Sequence, residues 1–154
     1  MLLYLVQHAE AKSKEEDPAR DLTAKGRQDI LRVANYAGNL DLAVSHIFHS
    51  GKARAASTAQ TLASALKPAT GISDTTDLAP LDDPQSWVDR LAKMDENLVL
   101  VGHLPHLAKL ATQLLTGDQE NTVIHFKMGG MVCLRRGEEG RWAVEWMIIP
   151  EIIP

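Results

Sequence analysis

Short apolar runs that end in polar residues alternate with longer amphipathic stretches along this chain. Residues 2–6 and 98–101 are continuous apolar runs, which predict buried strands over about residues 2–7 and 98–102. Each run is followed directly by a polar pair or a turn that contains a histidine, Gln7-His8 in the first case and Gly102-His103 in the second. Because ligands of open α/β sheets bind beyond the carboxyl ends of strands, both histidines are candidate functional residues.

The intervening segments predict helices and further strands. A helix over about residues 24–39, capped by Thr23, has an apolar inner face. A strand over about residues 43–49 leads to a helix over about residues 51–66 that Ser50 can cap. Later segments predict two more helices, a strand at residues 98–102, and β-structure with a hairpin turn at residues 137–140. The inner face of the first helix consists of Ile30, Leu31, Val33, Ala34 and Ala37. The apolar positions of the third predicted helix are Trp87, Val88, Leu91 and Met94.

This order of elements predicts one layered α/β domain over residues 1–154. We expect a mostly parallel central sheet, an antiparallel edge and helices on both faces. The β-structure between residues 122 and 149 comprises three runs, at residues 123–126, 131–134 and 142–149. Residues 10–21, which carry mixed charges and Pro18, are expected to form a long surface loop or flap.

The amino-acid composition and net charge favour some classes of protein and disfavour others. A hydrophobic fraction of 45% and a charged fraction of 23% are typical of a soluble globular protein. The net charge of −4 disfavours nucleic acid as a partner, and no apolar run approaches the roughly 18 residues of a membrane helix. The first residues do not resemble a signal peptide, so we expect a cytoplasmic protein. The one cysteine, Cys133, lies in an apolar stretch and is expected to be an inert core thiol.

The junction after the second predicted strand adds a candidate anion site. Backbone N–H groups of Ser50 and Gly51 at a strand-to-helix junction can bind an anion. Arg54 lies one turn further along, and its planar guanidinium matches a phosphate with two parallel hydrogen bonds. Arg54, His8 and His103 together supply the nucleophile and the cationic donors that phosphoryl transfer requires.

The other polar residues have structural interpretations. His46 and His49 are expected to be strand or edge residues, and His106 a capping or rim residue in the first turn of a helix. Asp82 and Asp83 are expected to form a turn and to cap a helix. The histidines lack the close ligand pairs of a zinc site, so neither a metal nor any other cofactor is expected.

Four segments, in this order, resemble the motifs of the histidine phosphatase superfamily. The short chain and compact loops are most similar to the SixA-type phosphohistidine phosphatases. The resemblance implies that His8 is a nucleophile that becomes phosphorylated, that Arg54 clamps the phosphoryl group and that His103 binds a phosphate oxygen. It also implies a place for Arg20 near the rim of the pocket. The segments are Leu5-Val6-Gln7-His8-Ala9-Glu10-Ala11, Arg20-Asp21-Leu22-Thr23-Ala24-Lys25-Gly26, His49-Ser50-Gly51-Lys52-Ala53-Arg54-Ala55 with Thr58-Ala59, and Gly102-His103-Leu104-Pro105.

The chain departs from the family pattern at Gln7, where the family usually has arginine. The amide of Gln7 can donate hydrogen bonds but brings no charge, and Arg20 or Lys52 could supply the missing charge. The resemblance also implies an acid from the middle loop of the chain. The candidates for that general acid are Asp77, Asp82 and Asp83.

These features predict a metal-independent phosphatase that acts through a covalent phosphohistidine at His8. The substrate that the resemblance implies is phosphohistidine on a protein, such as a histidine-containing phosphotransfer domain. Two alternatives remain open: phosphatase activity on a small phosphoester, and an attenuated or inactive phosphate-binding pseudoenzyme, which Gln7 suggests. Beside the three catalytic candidates, Gln7, Arg20 and Ser50 are the candidate substrate-binding residues. The expected partners are a phosphorylated protein or a small phosphoester, without nucleic acid or membrane.

Overall fold

Six strands form one mixed sheet in the computed structural model, which describes residues 1–154. The strand order across the sheet is β3-β2-β4-β1-β5-β6. The first four of these are mutually parallel, while β5 pairs antiparallel with β1 and with β6. The predicted parallel centre and antiparallel edge are therefore confirmed. The strands are β1 (Leu2–Gln7), β2 (His46–His49), β3 (Ile72–Asp74), β4 (Leu98–Gly102), β5 (Met131–Arg136) and β6 (Trp142–Ile148).

Two helices pack on each face of the sheet, as the sequence predicts. Alternate residues of β1 point to opposite faces, so Tyr4 and Val6 belong to one core and Leu3 and Leu5 to the other. The first core contains the inner faces of α1 (Ala24–Gly38) and α2 (Ala53–Leu66), and the second contains those of α3 (Gln85–Leu91) and α4 (His106–Thr116). A 3-10 turn at Pro150–Ile152 follows β6. None of these helices combines the length and the apolar character needed to span a bilayer.

The start of α1 holds the loop after β1 in place. Thr23 is the N-cap, and its hydroxyl accepts a hydrogen bond of 2.9 Å from the backbone N–H of Gly26. A Cβ atom at Gly26 would overlap the carbonyl oxygen of Glu10, so this close approach requires glycine. The predicted inner face of α1 is wrong at one position, because Leu31 is 52% exposed. Asp29 is buried instead and pairs with cations on its own helix.

Several predicted elements differ from the structure. β2 begins only at His46, and the short edge strand β3 was not predicted, since three residues carry too little pattern. Residues 123–126 form no strand. Ile124 and Phe126 are buried between exposed residues, which mimics strand alternation, but β5 already occupies the free side of β1. Met94 lies beyond the end of α3.

The strand order brings three segments to one edge of the sheet. β4 lies between β2 and β1, and all three strands run in the same direction. Gln7 pairs with Gly102, and the backbone N–H of His8 donates to the carbonyl oxygen of Gly102 at 3.0 Å. The residues that follow the three strands therefore meet where the chain reverses its winding direction, the usual ligand position of such sheets.

Cys133, in the centre of β5, is buried, and burial raises the pKa of its thiol to about 12.

Candidate active site

His8 leaves β1 with its ring orientation fixed by the backbone. Its Nδ1 lies 2.7 Å from the carbonyl oxygen of Ala9, and a carbonyl oxygen can only accept a hydrogen bond. The proton of the neutral ring is therefore on Nδ1, which leaves the lone pair of Nε2 free. Burial lowers the pKa of His8 below its usual range, and the charges of Arg54 and Arg20 lower it further, while the Ala9 bond opposes them. A neutral ring with a free nitrogen is a competent nucleophile.

His103 faces His8 across the edge of the sheet. The two ring centroids are 5.0 Å apart, with the planes tilted by 51°. His103 is almost wholly buried, and a hydrogen bond of 2.6 Å joins its Nε2 to the Ser50 hydroxyl. Burial, with the neighbouring His8 and Arg54, lowers the pKa of His103 to about 3. His103 is therefore neutral near pH 7. Its Nδ1 is buried without a partner, so a hydrogen bond to an anion would replace the one between Nε2 and the Ser50 hydroxyl.

Arg54 lies in the first turn of α2, and a chain of hydrogen bonds connects it to His8. The backbone N–H of Ala9 donates to the Thr58 hydroxyl at 3.0 Å, and that hydroxyl donates to the carbonyl oxygen of Arg54 at 2.8 Å. Thr58 is fully buried, so it fixes the end of β1 against α2. Thr58 belongs to the third sequence motif, which assigned it no role. Its signal is a hydroxyl residue on the otherwise apolar inner face of this helix.

The guanidinium of Arg54 is half-buried and incompletely satisfied. Its Nε is buried without a hydrogen-bond partner, which is costly unless a ligand provides one. Burial and the charge of Arg20 lower the pKa of Arg54. Arg20 thus lies close enough for the two like charges to affect each other. A bound anion would relieve both the unmade hydrogen bond and this repulsion.

Arg20 is carried to the site by the loop after β1. The neighbouring Asp21 accepts a hydrogen bond of 2.7 Å from Ser57 of α2, which ties the loop beside Arg54. Arg20 itself has a positive φ of 52°, and its Nε donates to the carbonyl oxygen of Lys12 at 3.1 Å. The charge of Arg20 reaches the site, since it lowers the pKa of both His8 and Arg54.

The remaining substrate-binding candidates differ from expectation in detail. Ser50 does not cap α2, because its hydroxyl bonds to His103, and the N-cap position belongs to Lys52. The N–H of Gly51 was expected to face an anion. Instead it donates to Nδ1 of His49 at 3.1 Å. Gln7 is the last residue of β1 and is half-buried.

A cleft of about 640 Å³ adjoins this cluster through Ser50. Ser50 is therefore shared by the cleft and by the pair of facing histidines. Asp82 lines the cleft, but its carboxylate also accepts a hydrogen bond of 2.8 Å from the backbone N–H of Ala79. Asp83 accepts one from the N–H of Gln85 at 3.0 Å, so the predicted turn role of this pair is confirmed. The predicted cap role is wrong, because the N-cap of α3 is Pro84 and no side chain caps the helix. The lining residues are Ser50, Asp74, Thr75, Thr76, Asp77, Ala79 and Asp82.

The other histidines have varied environments. His46 is the first residue of β2 and bonds to the hydroxyls of Thr70 and Ser73, so it is a strand residue, one of the two positions expected for it. The expectation for His106 is wrong: it is fully buried, and neither ring nitrogen has a partner. The ring is enclosed in the fold near the loop before α3, whose acids Asp77, Asp82 and Asp83 act on it. No group of three or more histidine, cysteine or acidic side chains has a geometry suited to a metal ion.

Comparison with known proteins places this geometry in a known fold. The solved structure of a SixA protein histidine phosphatase bound to tungstate superposes on the whole chain and is itself wholly covered, with a TM-score of 0.86 and 19% sequence identity. The α-ribazole phosphatase of Shigella flexneri gives a TM-score of 0.79 at 13% identity, with 97% of each chain covered. A phosphoserine phosphatase of Entamoeba histolytica gives 0.72 at 15% identity, with 95% of each chain covered.

The chain has the histidine phosphatase fold. The resemblance inferred from its sequence motifs is thereby confirmed at the level of the fold. No family model matches the sequence. An uncharacterised protein of Picosynechococcus sp. is 35% identical over 145 residues, which cover 89% of this chain and 86% of the relative. The chain belongs to the same family as that protein.

Proposed function

We propose that this chain is a phosphatase that acts through a covalent phosphohistidine at His8. The proposal rests on the position of the neutral His8 ring, whose Nε2 is free. The centroid of this ring lies 5.0 Å from that of the His103 ring, and the positive charge of Arg54 acts on it. Nucleophile and anion donors are thus provided by the side chains themselves, and the reaction as proposed calls for no metal ion.

In the first step, Nε2 of His8 attacks the phosphorus atom of the substrate. The new N–P bond forms as the bond from phosphorus to the leaving atom breaks, and the leaving atom takes the electron pair and a proton. Arg54 and Arg20 stabilise the negative charge on the three phosphoryl oxygens, and His103 donates a hydrogen bond to one of them. Asp77 and Asp82, which line the adjoining cleft, are candidate sources of the proton.

In the second step, a water molecule attacks the phosphohistidine. The bond from phosphorus to Nε2 breaks, phosphate leaves, and His8 returns to its neutral state. The hydrogen bond from Nδ1 to the Ala9 carbonyl persists through both steps and holds the ring in position. In the intermediate this bond also stabilises the positive charge that the ring carries.

Phosphohistidine on a protein is the substrate that we favour. The SixA structure with the same fold is that of a protein histidine phosphatase, and an open cleft that a protein surface can reach adjoins the site here through Ser50. Small phosphoesters are the second possibility, since neighbours of the same fold are named as phosphatases of α-ribazole and phosphoserine.

Gln7 supports a different candidate function, binding of phosphate without turnover. A neutral amide beside His8 replaces the arginine of the family pattern, and a hydrogen bond from a charged donor is about twice as strong as one from a neutral donor. An attenuated enzyme or pseudoenzyme would bind the anion through Arg54 and fail to stabilise the transition state.

Radiolabelled phosphohistidine protein distinguishes these functions. Phosphatase activity releases free phosphate over many turnovers, and rapid quenching in alkali retains a base-stable, acid-labile label on the chain. We expect peptide mapping to place that label at His8. Binding of inorganic phosphate without release from any phosphorylated donor would identify a pseudoenzyme.

The pH dependence of kcat/KM should report the lowered pKa of His8. His8 attacks only when neutral, and its protonated form accumulates below its pKa, which lies below the ordinary value of 6.5. Activity should therefore hold down to pH 6.5 with respect to this group and fall at lower pH. Arg20→Gln removes one positive charge, so it should raise the pKa of His8 and move the acid limb to higher pH. Comparing both proteins on one substrate cancels ionisation of the substrate, and NMR titration of His8 measures the shift directly; an unmoved His8 pKa would contradict this account.

Gln7→Arg tests whether Arg20 compensates for the missing charge. If the position beside His8 lacks a cation, the variant should bind phosphate more tightly and turn over faster, by about 1–3 kcal/mol, the range for hydrogen bonds to charged groups. We expect Gln7→Arg to rescue Arg20→Ala more than it improves the wild type, because Arg20 already acts on His8 and Arg54. Kinetics of the two single variants and the double variant measure this coupling. Strictly additive effects would mean that Arg20 does not compensate for Gln7.

A further inference from the structure

One hydroxyl group lies in the apolar core between α2 and the end of β1. Thr58 is 0% exposed, and the other buried residues on its face of α2, such as Ala55, Ala59 and Leu62, are all apolar. Burying a hydroxyl is costly unless hydrogen bonds satisfy it, and valine would fill nearly the same space without a polar atom. The bonds that the Thr58 hydroxyl makes therefore explain why a polar residue stands at this position.

Thr58 makes two hydrogen bonds whose directions are unambiguous. Its Oγ1 accepts from the backbone N–H of Ala9 at 3.0 Å and donates its single proton to the carbonyl oxygen of Arg54 at 2.8 Å. The second bond, to the carbonyl four residues earlier, is common for threonine in helices, and Thr112 of α4 makes the same kind of bond. The first bond joins α2 to a segment 49 residues earlier in the chain.

The bond from Ala9 holds the residue that orients the nucleophile. The N–H of Ala9 belongs to the peptide that joins it to His8, and Thr58 is its only hydrogen-bond acceptor in the protein. The carbonyl oxygen of Ala9 lies 2.7 Å from Nδ1 of His8 and accepts the ring proton. Rotation of the Ala9 backbone would move this oxygen away from the ring. Thr58 fixes one end of Ala9 and so limits this rotation.

The bond to Arg54 places the same hydroxyl against the backbone of the proposed phosphate-binding residue. Arg54 lies in the first turn of α2, one turn before Thr58. The backbones of Ala9 and Arg54 therefore flank one hydroxyl oxygen, with contacts of 3.0 and 2.8 Å on its two sides. Rates of catalysed reactions depend on such spacing, because a misplacement of about 1 Å can cost about 10²-fold.

We propose that Thr58 is a positioning residue of the active site, whose hydroxyl holds the Ala9 carbonyl against His8 and sets the distance between His8 and Arg54. The inference rests on the proposed phosphatase function and adds a residue to it. Since Thr58 is wholly buried, it acts through these residues and does not touch the substrate. A residue that only stabilised the fold would leave the ring of His8 unchanged once the protein had folded.

Thr58→Val keeps the shape of the side chain and removes both hydrogen bonds. We expect kcat to fall by about ten- to hundredfold, because the nucleophile loses its alignment. The affinity for inorganic phosphate should change much less than kcat, since the Arg54 side chain remains on α2. Thr58→Ser keeps the hydroxyl and should recover most of kcat. A folded Thr58→Val protein with the kcat of the wild type would overturn the proposal.

Thr112→Val is the matched control for the loss of a buried hydroxyl. Thr112 is also 0% exposed, its hydroxyl donates to the carbonyl oxygen of Ala108 at 2.7 Å, and it accepts from the N–H of Val123 at 3.4 Å. It lies in the C-terminal half of α4, whereas His103 precedes the N-terminal end of that helix. Both valine variants should lower the unfolding midpoint, and only Thr58→Val should lower kcat. Equal losses of kcat in the two variants would reject a specific role for Thr58.

The ring of His8 gives a readout that a loss of stability alone would not move. The chemical shifts of its two nitrogens, measured by NMR, show which nitrogen carries the proton. We expect the proton on Nδ1 in the wild type, in Thr58→Ser and in Thr112→Val. In Thr58→Val the ring should also populate the tautomer with the proton on Nε2, where the attacking lone pair is then lost. Wild-type chemical shifts in a folded Thr58→Val protein would contradict the positioning role.

Thr58→Cys replaces the valine variant if Thr58→Val does not fold. A thiol fills similar space and is only a weak donor and acceptor of hydrogen bonds. The kcat of Thr58→Cys should therefore lie below that of Thr58→Ser, and its His8 ring should show the mixture of tautomers. Equal kcat and equal nitrogen shifts in the cysteine and serine variants would overturn the proposal.

The failure of the proposed function gives a different result. If the wild-type protein hydrolyses no phosphorylated substrate, the phosphatase proposal fails, and the tautomer of His8 still tests the role of Thr58. A change of tautomer in Thr58→Val without turnover by any variant supports the positioning role and rejects the phosphatase. Turnover that Thr58→Val leaves intact does the reverse.

Discussion

His8→Ala should reduce kcat by about four to six orders of magnitude, the loss typical when a covalent nucleophile is removed. Alanine removes the free Nε2 lone pair, and no other side chain at the end of β1 can form the covalent intermediate. The variant should also take up no acid-labile label from a phosphorylated donor. Release of free phosphate from a phosphohistidine protein measures the first effect, and peptide mapping measures the second.

The fold should tolerate this change. His8 is half-buried, and its one side-chain hydrogen bond within the chain goes to the carbonyl of the adjacent Ala9. Circular dichroism and the unfolding midpoint should therefore stay near those of the wild type. His125→Ala, at an exposed position, is a matched control that should retain full activity. Substantial turnover by a folded His8→Ala protein would reject the covalent mechanism.

The sequence predicted the central strands well because burial on both faces leaves a plain signal. β1 and β4 are continuous apolar runs, and their observed bounds match the predicted ones. The meeting of His8 and His103 then follows from strand direction alone, since both follow parallel neighbours. Arg54 joins them because α2 begins at the same edge.

The side-chain hydrogen-bond partners at the site could not be predicted from such a local pattern. Ser50 was expected to cap a helix, and its hydroxyl bonds to His103, which is 53 residues distant in the chain. Gly51 was expected to offer its N–H to an anion, and the ring of His49 takes that bond. Local sequence shows which groups can bond, whereas the partner that is closest in space depends on the assembled sheet.

His106 and Thr58 show the same limit for burial. His106 was expected at a cap or rim position in the first turn of its helix, and Thr58 lies on the inner face of α2, where the sequence assigned it no role. The enclosure of His106 near the loop before α3 and the bond of Thr58 to the end of β1 arise from contacts between distant segments. The short strand β3 was missed for a related reason: it exists because β2 offers a free edge.

Arg54→Ala should lower kcat/KM by about two to three orders of magnitude, comparable to the loss of one strong donor to a transition-state oxyanion. The guanidinium supplies both charge and paired donors, and its buried Nε has no other partner in the protein. Arg54→Lys keeps the charge but loses the planar fork, so it should recover only part of this activity. Both variants should weaken the binding of inorganic phosphate, as measured by calorimetry.

The effect of Arg54 must be separated from a general loss of positive charge. Arg141→Ala removes an exposed arginine in the β5–β6 hairpin, remote from His8, and should leave phosphate affinity and kcat/KM unchanged. Arg54→Ala also removes a positive charge that lowers the pKa of His8, so the acid limb of its residual activity should move to higher pH. This shift distinguishes a charge beside the nucleophile from a role in folding alone. If Arg54→Ala and Arg141→Ala had equal activity, Arg54 would not bind the phosphoryl group.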